Sequence, residues 1–249
     1  MNKLHIGTMG WSYPFWAENF YSKGVSSNDY LTYYSKHFDT VEIDSTFYRI
    51  PSKTIFQNWK EQTPDDFLFS VKFPQSITHK KVLIDCDGEV DFFIERTSTL
   101  QNKLGPLLLQ FPRTFGPKKV PRLEEFLPKL PREHRYAVEV RNREMLTDAF
   151  YSVLRKNRVA LVLTVGGIMP ETEQMNADFV YIRWEGDRSK VNGTLGKVEI
   201  DRTDETRVWA DKINKLREKV EVFGYFSKYY SGHPPTDAKR LLELAEHVS

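Results

Sequence analysis

The chain has one cysteine, Cys86, in 249 residues, which excludes an intrachain disulfide and fits a reducing cytosol. Asp85 and Asp87 flank it, and acids on both sides raise a thiol pKa, so Cys86 reads as an ordinary residue rather than a nucleophile. No apolar run approaches the ~20 residues that a membrane helix needs, and the opening MNKLHIGTMGW lacks the hydrophobic stretch of a signal peptide. The expectation is a soluble cytoplasmic protein with no membrane association and no obligate protein partner. There is also no excess of one charge: 36 Lys and Arg stand against 34 Asp and Glu, a formal +2. A global basic field of the kind that drives non-specific nucleic-acid binding is therefore missing, although a local patch remains open. Rossmann and P-loop glycine patterns, a GxSxG elbow, and HExxH or CxxC spacing are all absent.

What is present is a series of short apolar strands that end in charge. In TVEIDSTFYR, residues 40–49, alternation puts Val41 and Ile43 on one face and Glu42 and Asp44 on the other. YAVEVRNR, residues 136–143, repeats the design with Glu139 and Arg141. Carboxylates pointing into a core need cations from elsewhere in the chain, because an unpartnered buried charge costs several kcal/mol. Further strands are expected at 4–7, 67–73, 106–111, 159–165, 179–184 and 220–226.

Helices are expected between them. One starts at Ser26 or Ser27, and one opens at Pro51 and Ser52 with Ile55, Phe56 and Trp59 on its stripe. Others fall near residues 90–104, closed by Gly105, then at 123–130, 145–156, 208–216 and 237–247. Residues 166–178 show no long helix. The aperiodic stretch 185–203 is long enough for either a lid or a plain surface loop. Eight strand-plus-connector units of about 31 residues each match a single α/β domain over residues 1–249, a (β/α)8 TIM-type barrel.

In such a barrel the chemistry sits at the C-terminal strand ends. Those ends carry Trp11, Glu42, Asp44, Lys72, Gln110, Glu139, Arg141, Arg183, Tyr225 and Ser227. Glu42 and Glu139 can serve as acid and base if their surroundings push their pKa values apart. Lys72, Arg141 and Arg183 favour an anion, and His79 in a neighbouring loop adds to that patch. Tyr48, with Phe47 and the aromatic loop around Trp11, offers flat faces for a ring or base. The competing view is a salt-bridge network that fixes barrel packing and does no chemistry. A divalent metal on Glu42, Glu139 and His79 is a minority alternative to a site without cofactors.

The stretches IGTMGWSYPFW, HFDTVEIDSTFYRIPS, FSVKFPQSITH, KLGPLLLQFP, RYAVEVRN, DFVYIRWEGDR and YFSKYYSGHPPTDAKRL, taken together, resemble the family called domain of unknown function 72, the YecE-like proteins. The resemblance spans nearly the whole chain and implies a TIM-type barrel similar to the endonuclease-IV and xylose-isomerase group, with no settled reaction. Its motif residues fall on Gly7, Trp11, Glu42, Thr46, Phe47 and Tyr48, and further along on Lys72, His79, Gln110, Glu139, Arg141 and Arg183. This chain has Asp44 where many relatives carry Asn, and Ser227 and Lys228 where they have an Asn pair. The loss of two amides alters the strand-eight part of any inherited site.

These observations lead to an expected enzyme, a hydrolase or isomerase, acting on a small anionic, ring-bearing molecule. Glu42, Glu139 and Lys72 would be catalytic, with Trp11, Asp44, Tyr48, His79, Gln110, Arg141, Arg183, Tyr225 and Ser227 binding substrate. Two alternatives stand beside it: a protein that binds a nucleic-acid fragment or processes phosphodiesters as endonuclease IV does, and a metal-assisted sugar isomerase or hydrolase.

Overall fold

The computed structural model describes residues 1–167, 169–170 and 174–246. Eight strands form one parallel sheet: β1 (Leu4–Thr8), β2 (Thr40–Ile43), β3 (Leu68–Lys72), β4 (Leu104–Gln110), β5 (Tyr136–Glu139), β6 (Ala160–Val165), β7 (Phe179–Trp184) and β8 (Glu221–Phe226). Their order is β1-β8-β7-β6-β5-β4-β3-β2, so the first and second strands lie at the two ends of the ladder. Those ends meet. Met9 bridges Glu42, and the Gly10 N–H donates to the Glu42 carbonyl at 2.8 Å.

Closure depends on two residues. A Cβ on Gly7 would lie 2.1 Å from the Thr40 carbonyl oxygen, so only glycine lets β1 and β2 approach this closely. The Tyr34 hydroxyl, from α1 (Tyr30–Tyr34), replaces a ladder bond in the seam: it accepts from the Thr8 N–H at 2.9 Å and donates to the Thr40 carbonyl at 3.0 Å. The result is the (β/α)8 barrel that the strand and connector pattern predicts.

The helices are α2 (Lys53–Glu61), α3 (Asp87–Thr97), α4 (Val120–Phe126), α5 (Asp148–Asn157), α6 (Thr203–Arg217), α7 (Lys228–Ser231) and α8 (Pro234–Glu246). Ser52 caps α2 by accepting from the Ile55 N–H, and Thr147 caps α5 by accepting from Phe150. That cap starts α5 three residues later than expected. Gly105 does not close α3: a 3-10 segment (Ser98–Lys103) intervenes, and Gly105 lies in β4 against the Phe69 backbone. Ile55 is exposed, because α2 buries only the side carrying Phe56 and Trp59. No helix among the described residues is long and apolar enough to cross a membrane.

Apolar side chains on the outer strand faces pack against the helices, while a second cluster including Met9, Leu108, Val162, Phe179 and Phe223 fills the lumen. Lumen layers of TIM barrels are commonly branched and aliphatic. Here two tyrosines occupy the middle. The Tyr225 hydroxyl lies 2.8 Å from Thr40 Oγ1, and the Tyr181 hydroxyl lies 2.6 Å from Ser70 Oγ and donates to Glu42 at 2.6 Å. Partners on neighbouring strands are what allow polar tips at such depth.

Candidate functional site

Inward positions of β2, β5 and β7 place Glu42, Glu139 and Arg183 at the C-terminal end of the lumen, all at most 2 % exposed. Arg183 is the centre. Its Nε and Nη2 grip both oxygens of Glu42 at 3.0 and 2.8 Å, and its Nη1 donates to Glu139 and to Glu185, both at 2.5 Å. The remaining Nη2 proton faces Met9 Sδ at 3.3 Å. A guanidinium has five N–H donors, and here the protein occupies all five. Glu139 also accepts from Gln110 at 2.8 Å and from Arg141 Nε at 2.9 Å.

These surroundings separate the two glutamates. Burial, reinforced by the charge of Asp44, pushes Glu42 up to about 8 against the pull of Arg183 and Tyr181. Burial acts the same way on Glu139, but Arg183, Arg141 and Lys72 outweigh it and hold that carboxyl down at about 2. Asp44, two residues beyond Glu42, is likewise opposed by burial yet lowered by the charges of Lys72 and Arg183. At neutral pH Glu42 therefore carries the proton that its neighbours lack.

Above this cluster opens a cavity of about 480 Å³ whose lining includes five cations, Lys72, Arg141, Arg183, Arg188 and Lys228, against the carboxylates Asp44 and Glu185. Glu42 and Glu139 are not in that lining; they lie behind Arg183. Lys72 makes no hydrogen bond through its ammonium among the described residues: Asp44 Oδ1 is 3.6 Å away, and the Phe47 ring centre is 4.6 Å away. Arg141 spends Nε on Glu139 and reaches Glu185 with Nη2 at 3.4 Å, and its Nη1 makes no hydrogen bond among the described residues. His79 stands edge-on to Phe47, and burial, helped by Lys72 and Arg141, lowers the pKa of its imidazole.

The remaining expected residues divide. Tyr48 lies on the rim, 78 % exposed, and Ser227 borders the cavity while capping α7 through the Tyr229 N–H at 3.2 Å. Tyr225 lies one layer below, fully buried, with its hydroxyl on Thr40 rather than at the mouth. Trp11 lies in an adjoining cavity with Trp59. Sequence reading missed Glu185 and Tyr181, although both share the alternation that puts Arg183 inward.

No group of three or more His, Cys, Asp or Glu is arranged to hold a metal among the described residues, so Glu42, Glu139 and His79 do not form such a set. Residues 185–203 run as a pinned wall. A Cβ on Gly186, at φ +72, would meet the Tyr229 carbonyl at 1.9 Å, and the Gly193 N–H donates to Glu199 at 2.7 Å.

A closed parallel barrel with polar side chains gathered at its C-terminal mouth defines a protein of the TIM-barrel class. Within that class the chain belongs to the family described as "Protein of unknown function DUF72", which it matches over residues 5–249. The UPF0759 protein YunF of Bacillus subtilis (strain 168) is 31 % identical, over 98 % of this chain and 95 % of YunF. The UPF0759 protein YecE of Escherichia coli (strain K12) is 42 % identical over 139 residues, 56 % of this chain; the match spans about half of YecE, 48 %. A crystal structure of a DUF72 family protein from Thermotoga maritima superposes with a TM-score of 0.84 at 25 % identity, covering 98 % of this chain and all of that one.

Proposed function

We propose that the barrel mouth binds a small ring-bearing anion, a phosphate or carboxylate, and that the carboxyl cluster beneath it moves a proton at a group beside the bound anion. One observation carries this reading: Lys72 and Arg141 border the cavity with donors that no acceptor among the described residues takes. Arg183, expected to grip the anion as well, is saturated, so its work is to hold Glu42, Glu139 and Glu185 together. Phe47, Tyr48 and His79 wall the mouth beside Lys72 and Arg141.

The acid–base part falls on Glu42 and Asp44 acting together. Glu42 holds the proton but has no surface on the cavity, whereas Asp44, two residues further on, borders the cavity. A proton can pass between ligand and Glu42 through Asp44. Glu139 remains ionised and fixes Arg183 and Arg141.

The test is titration calorimetry with inorganic phosphate and with citrate. Each charge-assisted hydrogen bond contributes about 1.5–3 kcal/mol, so Lys72→Ala and Arg141→Ala should each weaken binding by roughly tenfold or more at an unchanged circular dichroism spectrum. Wild-type protein that binds neither anion, or variants that bind as wild type does, would remove the reading. The nucleic-acid reading gains from exposed Tyr48 and from Arg188, whose guanidinium lies 4.6 Å from the Tyr229 ring centre at the same mouth. Affinity for a single-stranded oligonucleotide that exceeds the phosphate affinity and collapses with salt would favour it.

A further inference from the structure

A second cavity, of about 540 Å³, adjoins the mouth and shares Asp44 and Tyr13 with it. The two differ in chemistry. Where the mouth is rich in cations, the described residues lining the second cavity include no Lys, Arg or His, and their only carboxylate is the shared Asp44. Its apolar part is Trp11 and Trp59, set edge to face at 5.1 Å, with Ile55 beside them. Its polar part is the side-chain amides of Asn28, Asn58 and Gln62, none of which has a hydrogen-bond partner among the described residues. Asn58 and Gln62 stand four residues apart, so they project from one face at the end of α2. At the junction, Asp44 Oδ1 is buried and accepts no hydrogen bond among the described residues, with Lys72 Nζ and Arg183 Nη2 each 3.6 Å away. Burial normally brings such an atom a partner.

We infer that the two cavities form one site for a two-part ligand. An anionic head sits against Lys72 and Arg141. An uncharged ring carrying hydroxyl or amide groups sits against Trp11 and Trp59, where the three amides both donate and accept, and a ring O–H or N–H donates to Asp44 Oδ1. This inference rests on the anion reading above. A sugar phosphate and a nucleoside monophosphate share the required chemistry: a flat or stackable face, several hydrogen-bonding groups, and a phosphate within a few bonds.

The experiment compares inorganic phosphate, glucose 6-phosphate and uridine 5′-monophosphate by titration calorimetry on wild type, on the double variant Asn58→Ala/Gln62→Ala, and on Lys72→Ala. The two amides of the double variant are exposed and make no intramolecular bond, so it should fold as wild type does. At least one ester should bind about tenfold or more tightly than inorganic phosphate, and which one does so identifies the ring. The double variant should lose that increment while its affinity for inorganic phosphate stays the same, and Lys72→Ala should weaken all three. Esters that bind no better than inorganic phosphate, or an increment that survives in the double variant, overturn the two-part ligand and leave the anion reading standing. Binding of none of the three by wild type overturns the two-part ligand, and overturns the anion reading as well when citrate also fails to bind.

Discussion

At the N-terminal end of the lumen, opposite the mouth, His5 should make stability depend on pH. Its Nδ1 lies 2.6 Å from Asp39 and its Nε2 2.9 Å from Glu221, while Arg135 reaches the other oxygen of Glu221 and Phe223 stacks on the ring at 4.8 Å. With an acceptor on each side, both ring nitrogens must donate, which only the imidazolium can do. Burial disfavours that charge, yet the two carboxylates outweigh it and raise the pKa from 6.5 to about 9. A folded-state pKa above the unfolded one gives stability that is fully present below pH 6.5 and is lost as pH rises through 9. At about 1.4 kcal/mol per pH unit the displacement corresponds to roughly 3 kcal/mol, and solvent screening at Asp39 reduces it toward roughly 2. Urea unfolding of wild type and His5→Gln at pH 6, 7.5 and 9.5 measures the effect. Wild type should be the more stable at pH 6, and the gap should shrink by roughly 2–3 kcal/mol by pH 9.5; the titration of Glu42, common to both proteins, cancels in the difference. A His5 ring that titrates by NMR near 6.5 or below, or a gap that does not change with pH, would refute the argument.

Two further outcomes follow from named contacts. Tyr34→Phe removes the hydroxyl from the seam between β1 and β2 and leaves the Thr8 N–H and the Thr40 carbonyl without that partner, so denaturation should register a loss of about 2 kcal/mol or more; a loss near zero would mean that water fills the seam. Because Glu42 is protonated below about 8, a negative charge appears behind the mouth as pH rises through that value. Phosphate affinity at Lys72 and Arg141 should fall over that range in wild type and much less in Glu42→Gln, and parallel pH profiles for the two proteins would exclude Glu42 as the cause.

Strand alternation made much of the site legible, because a β-strand assigns each side chain to a face without reference to the rest of the chain. Glu42, Lys72, Gln110, Glu139 and Arg183 all occupy the face their parity assigns. Parity does not give depth. Tyr225 shares that face on β8, but its hydroxyl ends at Thr40, one layer down. It also fails just past a strand end: Glu185 follows Trp184 and opens an aperiodic stretch, yet it continues the series through Tyr181 and Arg183 and takes one of the shortest bonds in the cluster. Trp11 could not be assigned because it sits in a loop, and which of two neighbouring cavities a loop residue lines depends on the helix that packs against it, here α2 through Trp59.

What no one-dimensional pattern contains is how donors are shared across the barrel, and that sharing separates gripping cations from structural ones. Arg183 looks in sequence like the strongest anion ligand, a planar fork at a strand mouth. In the structure four of its five N–H groups go to Glu42, Glu139 and Glu185 and the fifth faces the Met9 thioether, so a ligand could take more than that one weak contact only by displacing a carboxyl partner already desolvated with it. Breaking one arm of a buried ion cluster costs about 3–5 kcal/mol, more than a phosphate contact on a guanidinium returns. Lys72 faces the opposite balance, since among the described residues its ammonium meets only Asp44 at 3.6 Å and the Phe47 ring, and an anion arriving there would displace none of them. The same buried cluster therefore both fixes the barrel mouth and leaves its outer cations available, which is why a packing role for Arg183 and a binding role for Lys72 are compatible readings of one network.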